Sequence, residues 1–487
     1  MKTRFGHLAA RLTIPAIAVL ALAGCQFLPL PTSASATKDI GGPAGVGEPV
    51  ASAQHAQIVA NYGGIYHSDQ AEQLLARIVA RLVEASDDPS RRYRITILNS
   101  PAVNAFALPD GFLYVTRGLL ALADDSSQVA AVLAHEMAHV TANHAAQREA
   151  QARTAIIVSR VVTDVLADSD AGQLALASSQ RTLASFSRQQ ELDADSMGIK
   201  TIVSAGYDPL SAARFLSAMN QFQRYRTTLG GAGGRQPEFL ATHPSTPERV
   251  DLAAKAAKSL TPSPRGDIDR AAYAAAIEGI VFGDDTGQGY VRGRSFFHAG
   301  LGVGFTVPEG FVLDNTADAV LATGGDGTAL RFDAVDVQGS VPLEDYLTSG
   351  WVNGLDRGTV KVGLTGGLPS ASAVATAKGW AFHITIVRGG GGETYRFIFA
   401  NERDSPAFQR AAAETVSSFR QLSSREVASL RPLHVRLVTV KAGDSQETIA
   451  GRMKGIVERP LDLFRALNQL PTTARLEPGQ VVKIVAE

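Results

Sequence analysis

Two histidines four residues apart, with a glutamate directly after the first, make His135-Glu136-Met137-Ala138-His139 the segment best equipped for chemistry. On a helix, a four-residue step returns to the same face one turn on, so both imidazoles can hold one zinc ion through ring nitrogens. Glu136 projects beside them, where its carboxylate can take a proton from a metal-activated water. A zinc site that does chemistry needs a third protein ligand and an open position. Glu191-Leu192-Asp193-Ala194-Asp195 offers a candidate, because Glu191 and Asp195 are again four apart. Glu191 can face the metal while Asp195 accepts a hydrogen bond from a ligand histidine and fixes its tautomer. Taken alone, such an acidic cluster is more often a solvated helix face. His144, five residues beyond His139, falls about 140° round a continuous helix and is expected outside the ligand set. His55, His67, His298, His383 and His434 lack ligand-like partners and read as structural or surface residues.

These side chains act together only if helices and strands bring them together. Asp125 and Gln128 suggest a capping box, and apolar Val129, Val132, Leu133, Met137 and Val140 flank the histidines, which predicts a helix from 128 to about 150. A second helix is expected over 152–165; Arg160 and Asp164 interrupt it, so it is not a membrane span. A third contains 191–200 and stops before Gly206-Tyr207-Asp208-Pro209. Upstream, Ile58, Leu74, Leu75, Ile78, Val79, Leu82 and Val83 recur at helical spacing. The runs 92–98, 104–108 and 112–116 read as strands, the last two joined by a Pro109-Asp110-Gly111 turn. Glycines over 230–234 mark a loop.

A chain of 487 residues exceeds what one core usually organises. With 45% hydrophobic and 19% charged residues it has material for ordinary globular domains. A net charge of −1 gives no reason to expect nucleic acid as a partner. Lys2, Arg4 and Arg11 precede a short apolar stretch ending in Leu22-Ala23-Gly24-Cys25, so residues 1–24 read as a signal peptide. Its removal with those three cations leaves a charge of about −4. Cys25 is the only cysteine, so no internal disulfide is available to the mature chain. Residues 25–53, rich in Pro, Gly, Ala and Ser, read as a flexible tether. A catalytic domain is expected over 54–262. The segment 265–425 has alternating runs at 329–337, 381–387 and 394–400, with helical runs near 342–349 and 406–421. It reads as an α+β domain around an antiparallel sheet, with no evident chemistry. A last unit covers 432–487.

Several motifs carry resemblances. Leu22-Ala23-Gly24-Cys25 resembles the lipobox of bacterial lipoproteins, which implies lipidation of Cys25. Gln26 after it implies the periplasmic side of the outer membrane rather than the inner membrane. The H-E-x-x-H pattern, followed some fifty residues later by E-x-x-x-D, resembles the HtpX and BepA-like metallopeptidases, relatives of the CAAX prenyl endopeptidases. Asn104-Ala105-Phe106-Ala107-Leu108-Pro109-Asp110-Gly111 is similar to their N-A-F-A-x-P-G-G edge-strand motif, with Asp110 in place of the first glycine. Arg117-Gly118-Leu119-Leu120 continues it, and His243-Pro244-Ser245-Thr246-Pro247-Glu248-Arg249 matches a later H-P-x-x-x-x-R motif. The resemblance implies a mainly helical gluzincin domain with a small sheet, one zinc ion, and Glu191 as third ligand beside His135 and His139. It also implies that an extended substrate pairs with the strand at Asn104, Ala105 and Phe106. His243 is placed near the metal, as a resting-state cap or an aid to the oxyanion, and Arg249 orders that loop or pairs with an acidic helix.

The opening Val438-Thr439-Val440-Lys441-Ala442-Gly443-Asp444-Ser445 and the closing 476–484 resemble a LysM module, a small βααβ unit that binds N-acetylglucosamine polymers such as peptidoglycan. Together these readings lead us to expect a zinc endopeptidase lipid-anchored in the periplasm. Its expected substrates are misfolded or unassembled envelope proteins. The alternatives are a chaperone-like or peptidoglycan-binding lipoprotein, and a peptidoglycan peptide hydrolase.

Overall fold

The computed structural model describes residues 48–148, 150, 169–230, 239, 243, 247–259, 270–317, 319–454 and 457–487. The signal peptide, most of the tether, the helix expected over 152–165 and the glycines 231–234 lie outside the described residues. Pro49–Glu487 form one compact unit, and its composition of helices and sheets is α+β.

Helix α1 (Glu48–Asn61) is followed by α2 (Asp69–Glu84), capped by Ser68 and burying Leu74, Leu75, Ile78, Val79 and Leu82 on one face. Strands β1 (Arg94–Leu98), β2 (Ala105–Ala107) and β3 (Phe112–Thr116) form a sheet in the order β1-β3-β2, with β1 parallel and β2 antiparallel to β3. In the β2–β3 turn the Gly111 N–H donates to the Leu108 carbonyl, and Gly111 itself has a φ of +92°. Asp110 is not among the residues of positive φ. An aspartate in place of the family's glycine therefore leaves this turn unstrained.

Helices α3 (Arg117–Leu122), α4 (Ser126–Thr141), α5 (Ser169–Ser204), α6 (Ser211–Gly230), α7 (Pro247–Ser259) and α8 (Arg270–Ile277) complete this part. α4 is buried from Ser126 to Val140 and packs against β2, α5 and α6. Only half of the expected capping box forms. The Asp125 side chain accepts from the Gln128 N–H at 2.9 Å, but the Gln128 Oε1 accepts from Asp124 instead. The helix expected to run to about 150 also breaks early. It ends at Thr141, Asn143 takes a left-handed φ of +52°, and helical geometry resumes at His144.

The middle of the chain contributes β4 (Val281–Phe282), then β5 (Tyr290–Arg292), β6 (Ser295–His298) and β7 (Val303–Thr306), joined later by β15 (Arg420–Gln421) in the order β15-β7-β6-β5. Against them lies a larger antiparallel sheet of β8 (Phe311–Asn315), β9 (Val320–Gly324), β10 (Ala329–Asp336), β11 (Lys361–Thr365), β12 (Leu368–Ala377), β13 (Trp380–Arg388) and β14 (Glu393–Asn401). Its order is β11-β12-β13-β14-β10-β9-β8. Phe296, Phe305, Phe332, Phe397 and Phe419 fill the core between the sheets, with α10 (Pro406–Ser417) alongside, while α9 (Leu343–Leu347) covers the outer face of β12.

After α11 (Ser424–Ser429), the chain forms β16 (Leu433–Thr439), α12 (Gln446–Ala450), α13 (Pro460–Leu467) and β17 (Val481–Ala486), with β16 antiparallel to β17. This last segment does not keep a core to itself. Val435, Ile449, Phe464 and Val485 share one hydrophobic cluster with Leu82, Leu120, Val132 and Phe215. The Lys483 ammonium donates to the carbonyls of Ala121, Leu122 and Ala123 at 3.1, 3.3 and 2.7 Å. The amides of Gln128 and Gln469 exchange two hydrogen bonds of 2.8 Å. No described helix is long and apolar enough to cross a membrane.

Candidate metal centre

Three elements supply the site. α4 carries His135, Glu136 and His139, α5 carries Glu191 and Asp195, and the segment leading into α7 carries His243, with Arg249 on α7 itself. The close approach of α5 to α4 depends on Gly198, where a Cβ would lie 3.1 Å from the backbone nitrogen of His135.

The Nε2 atoms of His135 and His139 are 3.0 Å apart, and each lies 3.4 Å from a carboxylate oxygen of Glu191. His243 Nδ1 is 3.3 Å from His135 Nε2 and 3.1 Å from both Glu191 oxygens. One ligand atom from each of these four buried residues falls within 4.8 Å of the others. Donor atoms bonded tetrahedrally to zinc at about 2.0–2.1 Å stand roughly 3.3 Å apart, so the separations and the N, N, O donor set fit a zinc ion. Glu136 Oε1 is buried with no hydrogen-bond partner among the described residues, and His243 Nε2 is 3.5 Å from it. An orphaned carboxylate oxygen beside the ligand cluster is where a water proton would be taken.

Outside this cluster, Asp195 Oδ1 sits 2.9 Å from His135 Nδ1. Arg249 donates twice to Asp195, at 2.7 and 2.8 Å, and its NH1 is 3.0 Å from Glu191 Oε2. Burial opposes charge on His135, yet its hydrogen bonds to Asp195 and Glu191 outweigh burial and lift its pKa to about 9. Burial, and then the charge on His135, push His139 down to about 2, so this ring is neutral. Burial would raise Glu191, but hydrogen bonds from His135 and His243 hold it far below the carboxylate range. Partial burial would raise Asp195 too, but Arg249 and then His135 pull it to about 2. Glu136 moves the other way: burial raises it against the pull of His243 and His135.

Glu191 and Asp195 of α5 therefore face the site rather than solvent, while Asp193 between them is exposed. His144, expected away from it, is buried with Nδ1 2.8 Å from His139 Nδ1. A helix-wheel reading misses this contact because it assumes an unbroken helix. The signal available was Asn143, a residue type that tolerates left-handed backbone.

The candidate substrate strand β2 is at the sheet edge. Thr116 N–H donates to Asn104 C=O and Leu108 N–H to Phe112 C=O. In an antiparallel ladder these bonds alternate, so the N–H and C=O of Ala105 and Ala107 point away from β3; Ala107 is half-buried there and Ala105 buried. The Phe106 ring stacks on Tyr114 at 4.9 Å. Phe239 N–H donates to Val103 C=O, and the Phe239 ring stacks on His243 at 4.7 Å, so the His243 segment is bonded to the start of this edge.

A helix bearing two histidines and a glutamate, set against a second helix whose glutamate joins them, is an arrangement suited to a metallopeptidase, and residues 69–257 match the model of peptidase family M48. The beta-barrel assembly-enhancing protease of Escherichia coli (strain K12) is 30% identical over 199 residues, 39% of this chain and 39% of that protein. The mitochondrial metalloendopeptidase OMA1 of Schizosaccharomyces pombe is 32% identical over 178 residues, 36% of this chain and 50% of that protein. The OMA1 of Arabidopsis thaliana is 30% identical over 169 residues, 34% of this chain and 31% of that protein. The chain thus spans about two-fifths of the Escherichia coli relative and half of the fission-yeast one, and the match to the M48 model is confined to the segment 69–257.

Proposed function

We propose that this chain is a zinc-dependent endopeptidase of the bacterial cell envelope that cleaves misfolded or unassembled proteins. The observation that carries the reading is the single buried cluster in which His135, His139, Glu191 and the unpaired oxygen of Glu136 converge. A zinc ion held by His135, His139 and Glu191 would supply Lewis acidity to a scissile carbonyl. Glu136 takes the proton of the attacking water and returns it to the leaving nitrogen. Ala107 on the edge strand offers backbone partners that hold an extended substrate in line, a mode suited to unfolded chains, and Ala105, buried in the resting state, joins it once uncovered. His243 fills the side of the cluster that a carbonyl oxygen would need, so in this reading it closes the resting site and leaves when a substrate strand adds to β2. The names of the relatives, a beta-barrel assembly-enhancing protease and metalloendopeptidases, support protein substrates.

The test is cleavage of an unfolded outer-membrane protein by wild type, Glu136→Gln and His243→Ala, with zinc content measured in each. Glu136→Gln should keep zinc and lose turnover by at least ~100-fold; near-normal turnover would sink the mechanism. His243→Ala should cleave faster, whereas a large drop with zinc retained would make His243 a transition-state donor worth roughly 3 kcal/mol instead. Anchoring through lipidated Cys25 is part of the proposal, and Cys25→Ser that still fractionates with membranes would remove it. The βααβ order of 433–486 supports a second role, holding the enzyme on peptidoglycan. Failure of the full chain to sediment with insoluble cell-wall sacculi would exclude that role.

A further inference from the structure

The two candidate zinc histidines are each met at Nδ1, but by different chemistry. His135 Nδ1 faces the Asp195 carboxylate at 2.9 Å. His139 Nδ1 faces His144 Nδ1 at 2.8 Å, and both of these rings are buried. A neutral histidine that offers the Nε2 lone pair to a metal must carry its proton on Nδ1. His139 Nε2 lies inside the ligand cluster, so its Nδ1–H donates outward. His144 Nδ1 must then be the acceptor, with the His144 proton on Nε2.

We propose that His144 is a positioning residue of the metal centre, a neutral acceptor that locks the tautomer and ring plane of His139. It rests on His139 being a zinc ligand. The two histidines are thereby tuned unequally. One is backed by a carboxylate that Arg249 neutralises in part, the other by an uncharged imidazole.

The backbone explains how a residue five positions on reaches His139. On a continuous helix His144 would point about 140° away. Instead Ala142 and Asn143 form a turn in which Asn143 adopts φ +52°, and the chain re-enters a helix at His144. Few L-residues tolerate that conformation, asparagine and glycine best among them, and β-branched residues worst. The new turn is tied down from α5. Gln190 Nε2 donates to the His144 carbonyl at 3.3 Å and to Gln147 Oε1 at 3.1 Å. Gln190 immediately precedes Glu191, so one short stretch of α5 supplies both a ligand and the anchor of the His144 turn.

The experiment measures zinc affinity of the full chain by competition with a chromophoric chelator, and the absorption bands of the cobalt(II)-loaded protein. His144→Leu should weaken zinc by ~10–100-fold and shift the cobalt bands. His144→Asn places an oxygen acceptor near the Nδ1 position and should stay within ~3-fold of wild type. Asn143→Gly should behave as wild type, while Asn143→Val, with the imidazole still present, should weaken zinc as His144→Leu does. Should His144→Leu bind zinc as wild type does while His139→Ala loses it, the proposal fails and the site reading stands. Should His139→Ala keep zinc, the site reading itself is wrong. If His144→Asn is as weak as His144→Leu, ring bulk and not the hydrogen bond is responsible, and the proposal is again overturned.

Discussion

Glu136 and Glu191 are buried and Asp195 half-buried within one site, and Arg249 is set against two of these three carboxylates. Removing one partner of a buried pair leaves charge that burial penalises and nothing offsets, at roughly 3–5 kcal/mol. The metal-free protein feels this most, because only the His135 imidazolium, and no zinc ion, then faces Glu191 from the other side. Arg249→Met should therefore lower the urea-unfolding free energy of chelator-stripped protein by about 3–5 kcal/mol, and by less once zinc is restored. Equal loss with and without zinc would show that Arg249 acts on the fold alone. The same residue explains why the sequence reading of 191–195 was open. An acidic cluster looks like a solvated helix face until its cation, more than fifty residues later in the chain, is seen against it.

At the scale of elements, everything depends on how closely α5 lies along α4. Gly198 permits that approach, since a Cβ there would crowd the backbone around His135 at 3.1–3.3 Å. Alanine would gain about 1 kcal/mol of helix propensity and give back a similar amount against α4. Leucine has no such offset, and overpacking costs roughly 1–3 kcal/mol or more while pushing Glu191 and Asp195 away from the histidines. Gly198→Ala is expected to be close to neutral in thermal melting, and Gly198→Leu to melt lower and bind zinc more weakly. A Gly198→Leu protein with unchanged zinc affinity would mean the helices do not need this contact to assemble the site.

At the scale of the molecule, the C-terminal segment is part of the peptidase core. It completes the hydrophobic cluster around α3 and α4, and Lys483 satisfies three carbonyls at the end of α3 just before α4 begins. Deleting residues 432–487 should expose that core and yield insoluble or zinc-free protein. A milder test is Lys483→Met, which leaves these carbonyls unpaired; each lost partner costs about 1–3 kcal/mol, offset in part because a buried charge is also removed. The expected net loss is ~2–4 kcal/mol in denaturant unfolding. A soluble, zinc-loaded chain ending at residue 431 would show that the last segment is an independent module after all.

By itself, the sequence determined what neighbours along the chain can encode. Four-residue spacing on a helix places His135 beside His139, and Glu191 beside Asp195. Alternation marks β1, β10, β13 and β14, and a glycine marks the β2–β3 turn. These follow from backbone period and local sterics, which a window of a few residues contains. Tertiary structure decided the rest. It brought α5 onto α4 so that the two pairs share one site, and set Arg249 and His243 beside them. It also turned His144 back through the left-handed Asn143, and sent the Gln128 amide to Gln469 rather than into a capping box. The final segment, with an opening and closing that resemble a separate module, was drawn into the peptidase core for the same reason. Such contacts join residues tens to hundreds of positions apart, and packing of buried surfaces selects them; no local periodicity records them.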